Sequence, residues 1–259
     1  MFLESGGFMF IDTHCHLSKE DYDDIDKVIM EDKEAEVDKI VVSGCSREAI
    51  DEVMSFKDKY DMVYVTIGYH PEYADSVRKE DLDYLKSLLG EKKIIGIGEI
   101  GLDYHYTKDN KDKQIWLFEE QLKIAENFNL PVVIHSRDAT QDTINTLKKY
   151  NVKGIIHCFS GSLETAKIYI FMGFLLGIGG VVTFKNSKLK DVVKEIPIDS
   201  IVLETDSPYL TPVPYRGKVN SSKYLEYIAK FIAEVKNISV EELAEITSKN
   251  ASSLFDFNK

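Results

Sequence analysis

Phe8-Met9-Phe10-Ile11-Asp12-Thr13-His14-Cys15-His16-Leu17 is a short run rich in apolar and β-branched residues that ends on two histidines. Such a run reads as a buried strand over Phe8–Thr13, with the histidines just past its end. Seven further runs have the same character: Lys39–Ser43, Met62–Ile67, Ile94–Ile100, Pro131–His135, Gly154–Cys158, Phe174–Ile178 and Ser200–Thr205. Their starts fall roughly 20 to 40 residues apart, the rhythm of a strand followed by a helix. The segments between them carry apolar helical faces, as where Ile115, Phe118, Leu122 and Ala125 recur at i, i+3, i+7 and i+10. Ser239 and Glu242 have capping-box spacing ahead of Leu243 and Ile246, which adds a closing helix. Eight such units predict an α/β fold, a single (β/α)8 TIM-type barrel with an additional C-terminal helix, in preference to an open sheet.

No Pro/Gly/Ser-rich linker divides the chain, so residues 9–259 read as one domain and residues 1–8 as an N-terminal extension ahead of a second methionine, Met9. The 259 residues are 44% hydrophobic and 29% charged, which excludes a disordered or fibrous chain. The longest apolar runs, Phe174–Gly180 and Leu130–Ile134, are too short for a membrane span. A net charge of −12 argues against a protein that wraps nucleic acid, though not against a phosphodiester met at a metal site. Three cysteines without CxxC spacing and the lack of an export-type leader suggest a cytoplasmic protein, and nothing demands more than a monomer.

Four histidines fall at strand ends: His14 and His16 after the first strand, His135 ending the fifth and His157 near the end of the sixth. In a barrel these ends share one rim. Residues two apart on an extended segment face the same way, so His14 and His16 can bind one ion while Cys15 points away. Glu99 and Asp206 are carboxylates that close apolar strands; each alone is a rim carboxylate or a helix cap. Together, four histidines and two carboxylates supply ligands for two divalent ions.

Six segments in order then resemble the TatD family of metal-dependent hydrolases, within the amidohydrolase-like TIM barrels, over nearly the whole chain. They are Ile11-Asp12-Thr13-His14-Cys15-His16-Leu17, Gly68-Tyr69-His70-Pro71, Gly98-Glu99-Ile100-Gly101-Leu102-Asp103-Tyr104, His135-Ser136-Arg137-Asp138-Ala139, His157-Cys158-Phe159-Ser160-Gly161 and Glu204-Thr205-Asp206-Ser207-Pro208-Tyr209-Leu210. The resemblance implies that His14, His16 and Asp206 hold one ion and His135 and His157 the other, with Glu99 bridging. It also implies a deoxyribonuclease that removes nucleotides from 3′ ends. Where the family pattern continues with Asn, an acidic residue and proline, this chain has Asn220-Ser221-Ser222, a departure expected at the rim of the pocket.

Asp206 is the candidate base for a metal-activated water, and Glu204, two positions earlier, either shares the chemistry or orients a ligand histidine. His70 contacts the scissile phosphate or protonates the leaving oxygen, unless it is a rim histidine fixed by Pro71. Arg137 and Arg216 either grip phosphate or pair with carboxylates such as Asp138. Tyr69, Tyr104, Phe159 and Tyr209 either stack a nucleobase or wall the site. His105, in a polar loop, is left out of the metal set, and Cys158 is expected to pack in the core. The residues admit Zn, Mg, Mn, Fe or Ni. Single-stranded DNA or a DNA 3′ end is the leading substrate. The same chemistry serves another ester or amide, such as an aminoacyl-tRNA, and a third reading is a metal-stabilised nucleic-acid-binding protein without turnover.

Overall fold

The computed structural model describes residues 9–105 and 107–258, so the extension expected over residues 1–8 lies outside the described residues. Eight parallel strands follow one another in sequence order: β1 (Phe10–Cys15), β2 (Val37–Gly44), β3 (Val63–Ile67), β4 (Ile94–Asp103), β5 (Val132–Arg137), β6 (Gly154–Ile156), β7 (Leu175–Ile178) and β8 (Ile201–Leu203). Helices α1 (Ile25–Glu34), α2 (Arg47–Lys59), α3 (Lys79–Leu88), α4 (Lys111–Phe128), α5 (Thr140–Leu147), α6 (Leu163–Phe171), α7 (Leu189–Glu195) and α8 (Leu225–Lys236) alternate with and follow them. The additional helix is α9 (Val240–Leu254), and the expected cap is present: Ser239 accepts the Glu242 amide. Asp24, Ser46 and Ser162 cap α1, α2 and α6 in the same way, each satisfying one of the amides that a helix start leaves open. Among the described residues no helix is long and apolar enough to cross a membrane.

Strand ends differ from expectation where the ligand-bearing turns begin. β1 runs on to Cys15, so His14 is inside the strand, and β4 continues past Glu99 to Asp103. β6 stops at Ile156: the His157 amide still donates to the Ile134 carbonyl, but Cys158 turns into the left-handed region at φ 44°. β8 stops at Leu203, shortly before Asp206 does the same at φ 54°.

Two apolar layers position the site. The larger fills the space between strands and helices. The smaller lies within the barrel and comprises Ile11, Val41, Tyr64, Ile95, Val133, Ile155 and Val202, closed by Ala251 and Phe255 around the end of α9. Strand side chains alternate, so the residue two positions further along shares the inward face. Along β2, β3, β5, β6 and β8 those residues are Ser43, Thr66, His135, His157 and Glu204, a polar layer set directly upon the apolar plug.

Candidate metal centre

The ladder slips between Asp12 and Cys15 where β1 meets β2, and between Ile97 and Ile100 where β4 meets β5. Irregular pairing of this kind re-aims side chains, and here it falls on His14 and Glu99. The buried Glu99 carboxylate divides between two groups of nitrogens. Its Oε2 lies 3.6 Å from His14 Nε2 and 3.6 Å from His16 Nε2. Its Oε1 lies 2.7 Å from both His135 Nδ1 and His157 Nε2, which are themselves 3.2 Å apart. Asp206 Oδ1 completes the first group at 3.5 Å from His14 Nε2 and 3.6 Å from His16 Nε2. Cys15 points away, its thiol reaching the Val41 carbonyl, as alternation requires.

The first group fits a metal ion. Atoms about 2.1 Å from a tetrahedral ion are spaced about 3.4 Å apart, close to the separations here and too long for good hydrogen bonds. His14 Nε2 is buried with no hydrogen-bond partner among the described residues, a costly arrangement for a polar atom that an ion would satisfy. Burial alone would raise the Glu99 carboxyl, but positive His157 and hydrogen bonds from His135 and His157 hold it well below the usual range. Asp206 is likewise held down, against burial, by His14 and His16. Conversely, burial and His157 push His14 down, while Glu99 and Glu204 overcome burial to push His157 well above its ordinary value.

Each histidine has a partner behind it. His14 Nδ1 is 3.1 Å from Ser43 Oγ, which is 2.7 Å from Thr66 Oγ1. His16 Nδ1 faces Cys45 Sγ at 4.0 Å. His135 Nε2 is 3.0 Å from Asp103 Oδ2, and His157 Nδ1 is 3.8 Å from Glu204 Oε1. Asp103 is locked by Gln114, which accepts its amide at 2.9 Å and donates to its carbonyl at 2.8 Å. Glu204 is fully buried, accepting the Cys158 amide at 2.5 Å, and fits only because residue 177 is glycine: a Cβ there would lie 1.9 Å from Glu204 Oε2.

The sequence pattern described as TatD related DNase matches residues 11–256. The chain belongs to the TatD family. It is similar to the uncharacterized metal-dependent hydrolase YabD of Bacillus subtilis, 47% identical over 255 residues that make up 96% of this chain and 100% of the relative. Human Deoxyribonuclease TATDN3 is 34% identical over 268 residues, covering 98% of this chain and 97% of that protein. The crystal structure of YJJV, a TATD homolog from Escherichia coli, superposes with a TM-score of 0.88 at 30% identity, over 95% of this chain and 98% of the other. As a TatD protein the chain is a metal-dependent hydrolase with a candidate His/Glu/Asp metal site inside a TIM barrel.

In this TatD chain the six expected ligands converge, and His70 joins them with Nε2 3.7 Å from Glu99 Oε1. Its Nδ1 accepts the Glu72 amide at 3.3 Å, which leaves the proton on Nε2, and burial pushes it down to about 4, so it is neutral at pH 7. Tyr209, 59% exposed, sets its ring edgewise to His16. Arg137 is exposed at the end of β5, and Arg216 is exposed with its guanidinium 3.8 Å over the Phe184 ring. Tyr104 is buried, its hydroxyl donating to Asp142, and it lines a cavity of about 230 Å³ with Lys108, Lys111 and Asp138.

Other expectations are corrected. Tyr69 is buried between β3 and α3 with its hydroxyl donating to the Asp81 carbonyl, because its neighbour His70 takes the opposite, inward side. Phe159 is buried beside Tyr169 as packing. Cys158 is partly exposed, since its left-handed backbone voids the alternation that would have sent it to the core. Asn220, Ser221 and Ser222 are buried, hydrogen-bonded into the fold instead of lining a rim. His105 needs no correction: it is exposed, meets Asp138 at 3.1 Å and belongs to none of the ligand groups. Asp103, Ser43, Cys45 and Asp12 were missed. Asp12 and Asp103 did carry a signal: a carboxylate within an apolar strand needs buried donors.

Proposed function

We propose that this protein is a nuclease that removes nucleotides from the 3′ end of DNA, using two divalent ions held on either side of Glu99. The observation that carries the reading is the division of that carboxylate, Oε2 toward His14 and His16 and Oε1 toward His135 and His157. The DNA substrate draws support from the name of the human relative, a deoxyribonuclease. Ions in these positions supply Lewis acidity and a water of lowered pKa.

Asp206, kept ionised, accepts the proton of the attacking water as oxygen bonds to phosphorus and the bond from phosphorus to the 3′ oxygen breaks. The departing 3′ oxygen takes a proton from solvent water, and the products are a 5′-mononucleotide and a shortened strand. His70, neutral with its proton on Nε2, donates a hydrogen bond to a phosphate oxygen and is a poor proton donor at pH 7. Glu204 touches His157 and the Cys158 amide, so it is a positioning residue. Arg137 and Arg216 meet the phosphates, while Tyr209 and the Tyr104 wall meet the terminal nucleotide.

Chelator-stripped protein resupplied with each of Zn, Mg, Mn, Fe and Ni, and given a 5′-labelled single strand, tests this reading with Glu99→Ala as the contamination control. The expected result is a ladder shortened from the 3′ end and absent in Glu99→Ala. Intact DNA from protein that has bound its ions overturns it and moves the assignment to carbonyl ester or amide hydrolysis.

A further inference from the structure

We propose that Ser222 and Asp12 form a clamp that positions the first half of the metal centre; the proposal rests on the ion-holding role given above to His14, His16 and Asp206. Strand order ends at β1 and β8, and across that seam side chains reinforce two backbone bonds, from the Asp206 amide to the His14 carbonyl at 3.1 Å and from the His16 amide to the Ser207 carbonyl at 2.7 Å. Thr13 Oγ1 donates to the Leu203 carbonyl at 2.9 Å. The Asp12 carboxylate lies fully buried in the seam and accepts four hydrogen bonds. Its Oδ1 takes the Thr205 amide at 3.0 Å and the His14 amide at 3.3 Å. Its Oδ2 takes Thr205 Oγ1 at 2.6 Å and Ser222 Oγ at 2.7 Å. Thr205 immediately precedes Asp206, so one carboxylate grips the backbone of His14 and the residue before Asp206 at once.

Three of those donors belong to the ligand-bearing strand ends, and the fourth comes from a short 3₁₀ turn, Ser222–Tyr224, in the loop after β8. Asn220 anchors that loop by donating to the Thr205 carbonyl at 2.9 Å and the Tyr209 carbonyl at 2.6 Å. Without the Ser222 hydroxyl, a buried carboxylate must make up its lost donor from the remaining three, which are attached to the ligands. Ser221 provides an internal control. Its hydroxyl donates to Asp32 Oδ1 on α1 at 3.2 Å, beside the Lys223 amide at 2.7 Å, and that carboxylate touches no ligand backbone. Two adjacent serines, both at the place where the chain departs from the family pattern, thus tie one loop to two different carboxylates.

The test is a Co(II) titration of the intact chain, read by visible absorption and by the shifted ring N–H signals of His14 and His16 against those of His135 and His157. Ser222→Ala is expected to weaken the first position roughly three- to tenfold and leave the second unchanged. Ser221→Ala is expected to lower Tm and leave both positions unchanged. Thr205→Val, which removes the other hydroxyl on Asp12 Oδ2, reproduces the selective loss and serves if Ser222→Ala does not fold. Equal weakening of both positions, no change at either, or the same effect from Ser221→Ala overturns the clamp. Wild-type protein that takes up no Co(II) overturns the ion reading along with it, whereas normal wild-type uptake with an unaltered Ser222→Ala overturns the clamp alone.

Discussion

The two halves of the centre place their negative charge differently. In the first, Asp206 faces His14 and His16 directly, and the groups behind those rings are neutral, Ser43 and Cys45. In the second, no carboxylate other than Glu99 among the described residues faces His135 and His157, and the charge stands behind the rings as Asp103 and Glu204. A carboxylate behind a histidine fixes its tautomer and makes it a stronger donor to a cation. The first half therefore keeps a carboxylate in the reaction space that can take a proton. The second half presents His135 and His157 there without a carboxylate of its own, and neutral His70 stands beside them with Nε2 3.7 Å from Glu99 Oε1.

The largest effect should erase the comparison. Glu99 belongs to both halves, so Glu99→Ala is expected to lose both ions, with affinity falling more than about 100-fold, beyond what outer partners contribute. Metal analysis after dialysis checks this, and retention of one ion would mean that the halves are built independently. Next, Asp206→Asn removes the carboxylate that belongs to the first half alone. It should weaken the first ion far more than the second and abolish turnover even at saturating metal, because the proton acceptor is gone. A variant that regains activity in excess metal would reassign the proton to another group.

Smaller losses are expected from the carboxylates behind the rings. Asp103→Asn and Glu204→Gln should each weaken the second ion about 10- to 100-fold and leave the first nearly unchanged, read by the same site-resolved titration. The halves should also differ in pH dependence. Burial pushes His14 down, so it is already neutral at pH 7, whereas His16 is pushed up, against burial, by Asp206 and Cys45. His135 and His157 are both pushed up, against burial, by Asp103 and Glu99 and by Glu99 and Glu204 respectively. A proton held by the empty site must leave when an ion arrives, so affinity falls as pH falls. Log affinity should therefore fall more steeply with falling pH at the second position, which has two raised histidines, than at the first, which has one. Equal slopes would remove the electrostatic distinction.

Much of this was legible in the sequence. The strands are short β-branched runs, and the six proposed ligands sit at or near the ends of those runs, where a barrel brings residues together. What supports the ligands was not, because each partner acts across the sheet. Ser43 is 29 positions from His14, Asp103 is 32 from His135, and Asp12 is 193 from Thr205. Alternation placed Cys15 correctly and failed at Cys158, since it holds only while the backbone stays extended. Treating Gly68-Tyr69-His70-Pro71 as one rim motif overlooked the same rule, which sends Tyr69 and His70 to opposite sides.

The smallest effect tests whether the neutral backing of the first half matters at all. With an ion on Nε2, which faces Glu99 and Asp206, the His14 proton would sit on Nδ1 and donate to Ser43 Oγ, whose own hydrogen then goes to Thr66. That is a chain of neutral hydrogen bonds, each worth about 0.5–1.5 kcal/mol. Ser43→Ala removes the acceptor and leaves a buried N–H unpaired, yet it takes no charge from the centre. First-ion affinity should fall only about two- to tenfold, less than for either carboxylate of the second half, with the second ion unaffected. A loss as large as that in Asp103→Asn would show that ring orientation, and not the charge behind the ring, sets the strength of these histidines, and the contrast between the halves would then be one of geometry.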